Sequence, residues 1–163
     1  MNRESDPQDD FPAPPALLPF ARISIDVEPV VSLGPAPAGE RRYVPLAGGT
    51  VTGPGLAGRV RSGGVDWQLA RADGVLEIDA HYVIETADGA LVEVRSSGMR
   101  HGPPEVMARL AAGEDVAPGL YWFRTVVRMT TGSERWAHLN RSLAIARGRR
   151  EARRVLLDLW LLG

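Results

Sequence analysis

The residues best equipped for chemistry recur in three alternating runs. Between Val75 and Thr86, Glu77, Asp79, His81 and Glu85 fall on one side, with Val83 alone breaking the row. Leu76, Ile78, Ala80, Tyr82 and Ile84 fall on the other. From Leu120 onward Arg124 and Arg128 share a side with Trp122, and from Arg135 onward His138, Asn140 and Ser142 share one with Trp136. A carboxylate facing a guanidinium in a low-dielectric cavity is tuned for proton transfer or holds an anion through paired hydrogen bonds. Asp66-Trp67-Gln68 adds an acid, an aromatic wall and an amide after a Gly-Gly turn. The expected chemistry is acid/base work on a small organic molecule: isomerisation, cyclisation or elimination. Asp79, Glu85 or Asp66 would move the proton. Arg124 and Asn140 would steady an oxyanion, and Trp67, Gln68, Tyr82 and Trp136 would hold the ligand.

Composition removes other chemistries. All 19 basic residues are Arg, so lysine Schiff bases and a Lys-bearing phosphate loop are excluded. Without Cys there is no thiol nucleophile, disulfide or thiolate zinc site. His81, His101 and His138 are too widely spaced to suggest a metal centre, no GxSxG elbow is present, and no cofactor is expected. A formal net charge of -1 argues against nucleic acid and anionic membranes as partners. With no long apolar run and no secretory signal, the expected location is cytoplasmic.

A side-chain period of two means strands, so strands must position these groups. The long run lies between Asp73-Gly74 and Asp88-Gly89, both hairpin signals. Residues 1–19 are acidic, then proline-rich, and are expected to form an extended arm, with one β-barrel domain over 20–163. Phe20–Val31 predicts the first strand and Leu33–Glu40 a loop. Arg41–Leu46 predicts a short strand, followed by a Gly-dense stretch suited to bulges or a barrel corner. Leu91–Ser97, Leu120–Thr131, Arg135–Arg147 and Val155–Leu162 predict further strands. Pro103–Gly113 predicts one short helix. Eight or nine sequential strands with tight turns argue an all-β fold, a closed antiparallel barrel that leaves no sheet edge. Which faces line its lumen stays open. The apolar faces fill it and the polar faces meet water, or the polar faces line a cavity and the apolar ones are covered outside. The expected site rests on the second arrangement.

Several segments resemble the bacterial domain-of-unknown-function family 3237, also called uncharacterised protein family 0311. They are Gly39-Glu40-Arg41-Arg42, Pro45-Leu46-Ala47-Gly48-Gly49, Gly53-Pro54-Gly55-Leu56-Ala57-Gly58 and Gly64-Val65-Asp66-Trp67-Gln68. Then come Arg71-Ala72-Asp73-Gly74, Asp79-Ala80-His81-Tyr82, Glu85-Thr86-Ala87-Asp88-Gly89, Tyr121-Trp122-Phe123-Arg124-Thr125 and Trp136-Ala137-His138-Leu139-Asn140. The resemblance runs from about Phe20 onward and implies an antiparallel barrel of the allene oxide cyclase type. The acidic arm and the arginine-rich turn from Arg147 to Arg154 are individual to this chain. A single short helix cannot cover the outside of so many two-faced strands, so a homo-oligomer, a dimer above all, is expected beside a small-molecule ligand. The alternative function is a non-catalytic barrel that carries a ligand or acts in such an assembly.

Overall fold

The computed structural model describes residues 12–163, and the expected arm falls largely on residues outside that range. Ten strands follow in chain order: β1 Leu17–Val27, β2 Val31–Ala36, β3 Gly39–Thr52, β4 Gly58–Val60, β5 Gly64–Ala70, β6 Leu76–Thr86, β7 Leu91–His101, β8 Trp122–Thr130, β9 Leu143–Arg150 and β10 Arg154–Leu162. One helix, α1 (Pro104–Ala111), lies between β7 and β8. Every strand pairing is antiparallel. The ring runs β1, β10, β9, β8, β7, β6, β5, β3 and back to β1, an eight-stranded closed barrel with two extra strands. β4 continues the β5 position between β3 and β6, and β2 extends the β1 position along the first half of β3.

Local chemistry explains these elements. Gly74 and Gly89 turn the hairpins at φ of 85° and 84°, where a side chain would be strained. The Gly-dense stretch is where β3 passes close to β1: a Cβ on Gly49 would collide with the Ser24 carbonyl oxygen. α1 starts on Pro104 with Glu105 in its first turn, and Gly113 beyond its end has φ of 79°.

The structure departs from the expected elements at three places. Leu17, Leu18 and Pro19 belong to β1, paired with Leu162, Leu161 and Trp160, so the arm expected to reach Pro19 ends earlier. The expected loop from Leu33 is β2 and its hairpin into β3. Gly34, at φ of 87°, carries the bulge that lets Pro35 sit in an edge strand. Third, the strand expected over Arg135–Arg147 is split: Ala137–Arg141 is a 3-10 helix, and β9 starts only at Leu143. Alternation there was coincidental, because Asn140 ties this turn to Thr131 through both its amide groups, at 2.8 and 2.9 Å.

Closure decides the open question of faces. Leu76, Ile78, Ala80, Tyr82 and Ile84 all point into the barrel. Phe123, Thr125, Val127 and Met129 do so from β8. One end is packed solid by Val51, Leu56, Ile84, Val92 and Leu139, each nearly inaccessible. The polar row of β6 faces outward: Glu77 meets Arg71, His81 meets Glu93, and Glu85 meets Arg59 at 3.0 Å. Arg124 is on the outer side of β8, its guanidinium 5.7 Å from the centre of the Trp122 ring, and donates to its neighbour's carbonyl. Arg124→Leu is therefore expected to cost less than about 1 kcal/mol in urea unfolding, the scale of an exposed contact. A loss of about 3–5 kcal/mol, the scale of a broken buried pair, would contradict this placement.

Candidate active site in the barrel lumen

Beside the packed end, the inward residues become small. Ala80, Ser96, Thr125 and Ala146 ring the middle of the barrel. They leave a cavity of about 40 Å³, lined by residues of β1, β3 and β5 to β10. Its wall is aliphatic on the β1, β3 and β10 side: Ile25, Val27, Val44, Leu46, Val155 and Leu157. The opposite side carries Asp66, Gln68, Tyr82, Ser96, Arg100, Thr125 and Arg150.

The register explains how these groups meet. β5 is inverted relative to its neighbours: apolar Val65, Trp67 and Leu69 alternate with inward Asp66 and Gln68. Asp66 sits between Val44 of β3 and Ala80 of β6, and Gln68 between Arg42 and Ile78. A chain of hydrogen bonds follows. Arg42 Nε donates to Gln68 Oε1 at 2.9 Å, and Gln68 Nε2 donates to Asp66 Oδ2 at 2.6 Å. Gln68, 6% exposed, thus fixes the direction in which the carboxyl points. Ser96 Oγ donates to Thr125 Oγ1 at 2.9 Å across the wall. Near the cavity's edge the Tyr121 hydroxyl accepts from the Arg150 backbone N–H at 2.9 Å, holding the start of the β9–β10 turn against the barrel.

Among the described residues, three buried polar atoms around this cavity have no partner: Asp66 Oδ1, the Tyr82 hydroxyl and Arg100 Nε. An unsatisfied buried polar atom costs about 1–3 kcal/mol, so three on one cavity make it the candidate site. Tyr82 is 2% exposed and Arg100 7%. Burial pushes the Asp66 carboxyl up to about 6, overriding the hydrogen bond from Gln68 and the attraction of Arg100. Burial, helped by the Asp66 charge, drives the Tyr82 phenol upward, so it stays a hydroxyl at neutral pH. Burial and the nearby Arg150 and Arg42 lower Arg100 to about 10, where it is still a cation at neutral pH. The arrangement therefore offers an acid poised near neutrality, a phenol donor and a buried cation against an apolar wall.

Of the site residues expected from the sequence, Asp66, Gln68 and Tyr82 come together here. The others do not. Asp79 is exposed and accepts from Ser97 Oγ at 2.8 Å. Glu85 and Arg124 are on the outer wall, and Trp67 is 40% exposed and packs on Tyr43 with ring centres 5.2 Å apart. Trp136 donates to Asp88 at 3.1 Å outside the packed end, and Asn140 caps the neighbouring turn. The expected convergence of Asp79, Glu85, Arg124 and Asn140 inside the barrel is thus corrected. Their rows face water because the opposite rows hold the bulky apolar side chains that fill an eight-stranded barrel. Arg42, Arg100 and Arg150 were missed. The signal for Arg100 was available, since it shares parity with Val92, Val94 and Ser96, the one charge on an apolar row.

The raised Asp66 carboxyl sets a pH dependence. It binds its proton more tightly folded, at about 6, than at the ordinary 3.8. Its contribution to stability is whole below the unfolded value and is lost as pH rises through the folded one. Between about pH 4 and about pH 8 the wild type should lose about 2–3 kcal/mol more than Asp66→Asn in denaturant unfolding. Parallel curves for the two proteins would show that the carboxyl is not buried.

Known proteins place this barrel in a family. The model of the family described as protein of unknown function (DUF3237) matches residues 15–162. A UPF0311 protein of Bradyrhizobium diazoefficiens is 40% identical over 136 residues, covering 83% of this chain and 89% of that protein. The crystal structure of a conserved protein of unknown function from Rhodopseudomonas palustris superposes with a TM-score of 0.89 at 35% identity, covering 93% of this chain and all of that one. A hydroalkoxylation enzyme of Penicillium herquei is 34% identical over 86 residues, 53% of this chain and 57% of the enzyme. With its family model matched from β1 through β10, the chain belongs to the DUF3237 family of proteins of unknown function.

Proposed function

We propose that this protein binds a small organic molecule in the barrel lumen and catalyses proton transfer on it, with cyclisation by hydroalkoxylation as the reaction class. The observation that carries the reading is Asp66: a buried carboxyl raised to about 6, held by Gln68 through one oxygen while the other lacks a protein partner. The hydroalkoxylation enzyme among the relatives supports the class, since that reaction adds an O–H across a carbon–carbon double bond. The step balances with one carboxyl. Protonated Asp66 gives its proton to one alkene carbon, the substrate's hydroxyl oxygen bonds to the other, and the hydroxyl proton returns to the carboxylate. As the proton leaves, Arg100 would stabilise the negative charge left on the Asp66 carboxylate, the Tyr82 hydroxyl would position the substrate's hydroxyl, and the aliphatic wall would hold the carbon skeleton.

The test is a panel of the smallest hydroxyalkenes, matched to the cavity of about 40 Å³, in deuterated water, followed by NMR for cyclic ethers carrying one deuterium on carbon. Asp66→Asn is expected to lower the rate by at least about 100-fold, and Glu85→Gln to leave it unchanged. The wild-type rate should fall as pH rises above about 6, when the acid loses its proton. Full activity in Asp66→Asn, or a panel that gives no product with the wild type, would refute this reaction.

A second reading, a barrel acting in a homo-oligomer, is favoured by the outer wall. Val126, Ile145, Trp160 and Pro19 are consecutive cross-strand partners over β8, β9, β10 and β1, with exposed Leu143 and Leu162 nearby. Such a row suits burial against a second copy. Light scattering at micromolar concentration should give a dimer mass, and Trp160→Glu a monomer. A monomeric wild type would rule this reading out.

A further inference from the structure

The lumen holds more positive charge than its one acid balances. Arg42, Arg100 and Arg150 approach it from β3, β7 and β9. Asp66 is the one carboxylate whose charge weighs on Arg100 or Arg150 among the described residues. Arg42 is already engaged by Gln68, and Arg150 spends one nitrogen on the Arg154 carbonyl at 3.3 Å. Arg100 is different. Its Nε has no acceptor, its guanidinium sits 5.8 Å from the centre of the Phe123 ring, and it lines the cavity together with Arg150. An isolated buried cation is among the costliest arrangements in a protein unless an anion joins it. The partner cannot be Asp66 alone, because its second oxygen also lacks a donor, so no hydrogen bond joins that oxygen to Arg100.

We propose that the Arg100–Arg150 end of the lumen is an anion site that takes the carboxylate of a small organic acid. This rests on the reading that the lumen holds a ligand, and it names the ligand's class. The two guanidiniums clamp the carboxylate at the polar end. The apolar body lies along Val27, Val44, Val155 and Leu157, and the ligand's far part reaches Asp66 and Tyr82. A planar guanidinium fork matches a carboxylate through two parallel hydrogen bonds, which favours a carboxylate over a neutral amide of the same shape. Asp66 is close enough to repel a second charge, so a monoanion suits the site better than a dianion.

The probes are two matched pairs, formate with formamide and acetate with acetamide, sized to the cavity of about 40 Å³ and titrated into the full chain near neutral pH. Heteronuclear NMR locates binding through the amides of Gln68, Ser96 and Arg100. The carboxylate of at least one pair is expected to bind at least about tenfold tighter than its amide and to shift those three signals. Arg100→Met should lose that preference. It should also unfold at a temperature no lower than the wild type without ligand, since it removes an uncompensated charge. Arg150→Met is the second variant should Arg100→Met not fold, with the same loss of preference expected. If amide and carboxylate bind the lumen equally well, or Arg100→Met or Arg150→Met keeps the preference, the anion site is wrong while the lumen reading survives. If neither member of either pair perturbs the lumen signals, both fall together.

Discussion

Ring closure is the constraint on which everything else in this barrel depends. Once β1 pairs with both β3 and β10, no strand has a free choice of face. A side chain of one parity enters a space shared by eight strands, and its neighbour goes to the outside. Bulk then distributes itself. Valine, leucine and isoleucine fill one end, and a belt of alanine, serine and threonine leaves room next to it. The cavity is thus made by small residues in the middle of strands, and its polar groups arrive on positions that would otherwise carry core side chains.

Electrostatics inside that space is governed by lack of water. Asp66 has a hydrogen-bond donor and cations nearby, yet burial still outweighs both and holds its proton to about 6. Arg100 feels the same penalty in the opposite direction, made worse by two neighbouring guanidiniums. On the outer wall carboxylates and guanidiniums meet in ion pairs that water screens. Glu85 with Arg59 and Arg61 is an instance of charge complementarity that sets the surface and contributes little else. A shortage of partners separates the inner groups from the more numerous pairs on the outer wall.

Much of the fold was legible in the sequence, because alternation, Asp-Gly turns and a Pro-led helix are local signals that closure reinforces. β6, β7, β8 and β10 and α1 fall where pattern predicts them. The stretch around Asn140 was not legible, since a short 3-10 turn can mimic alternation when its polar groups bond to a distant segment. The site was legible only in part. A row of charges drew the reading to Glu77, Asp79, His81 and Glu85, whereas solvated rows are the ordinary companion of a packed interior. β5 carries its signal upside down, with Trp67 outside and Asp66 inside, and no property of the segment alone reveals the inversion. Arg42 and Arg150 lie near strand ends, where pattern weakens. Only the three-dimensional meeting of β3, β5, β7 and β9 gives them a common purpose.

The strand pairing that closes the ring also bears on how the protein is made. Leu17 pairs with Leu162, and Ile25 with Val155, so the first strand waits for the last to leave the ribosome. Hairpins β5–β6 and β6–β7 can form as they emerge, but the lumen cannot be sealed until β10 has been made. Contacts so distant in sequence slow folding. Until then Asp66 and Arg100 remain in water, ordinary in their proton affinities. The acid near neutrality and the lowered guanidinium are acquired only when the ring closes, so a chain that still lacks β10 has neither.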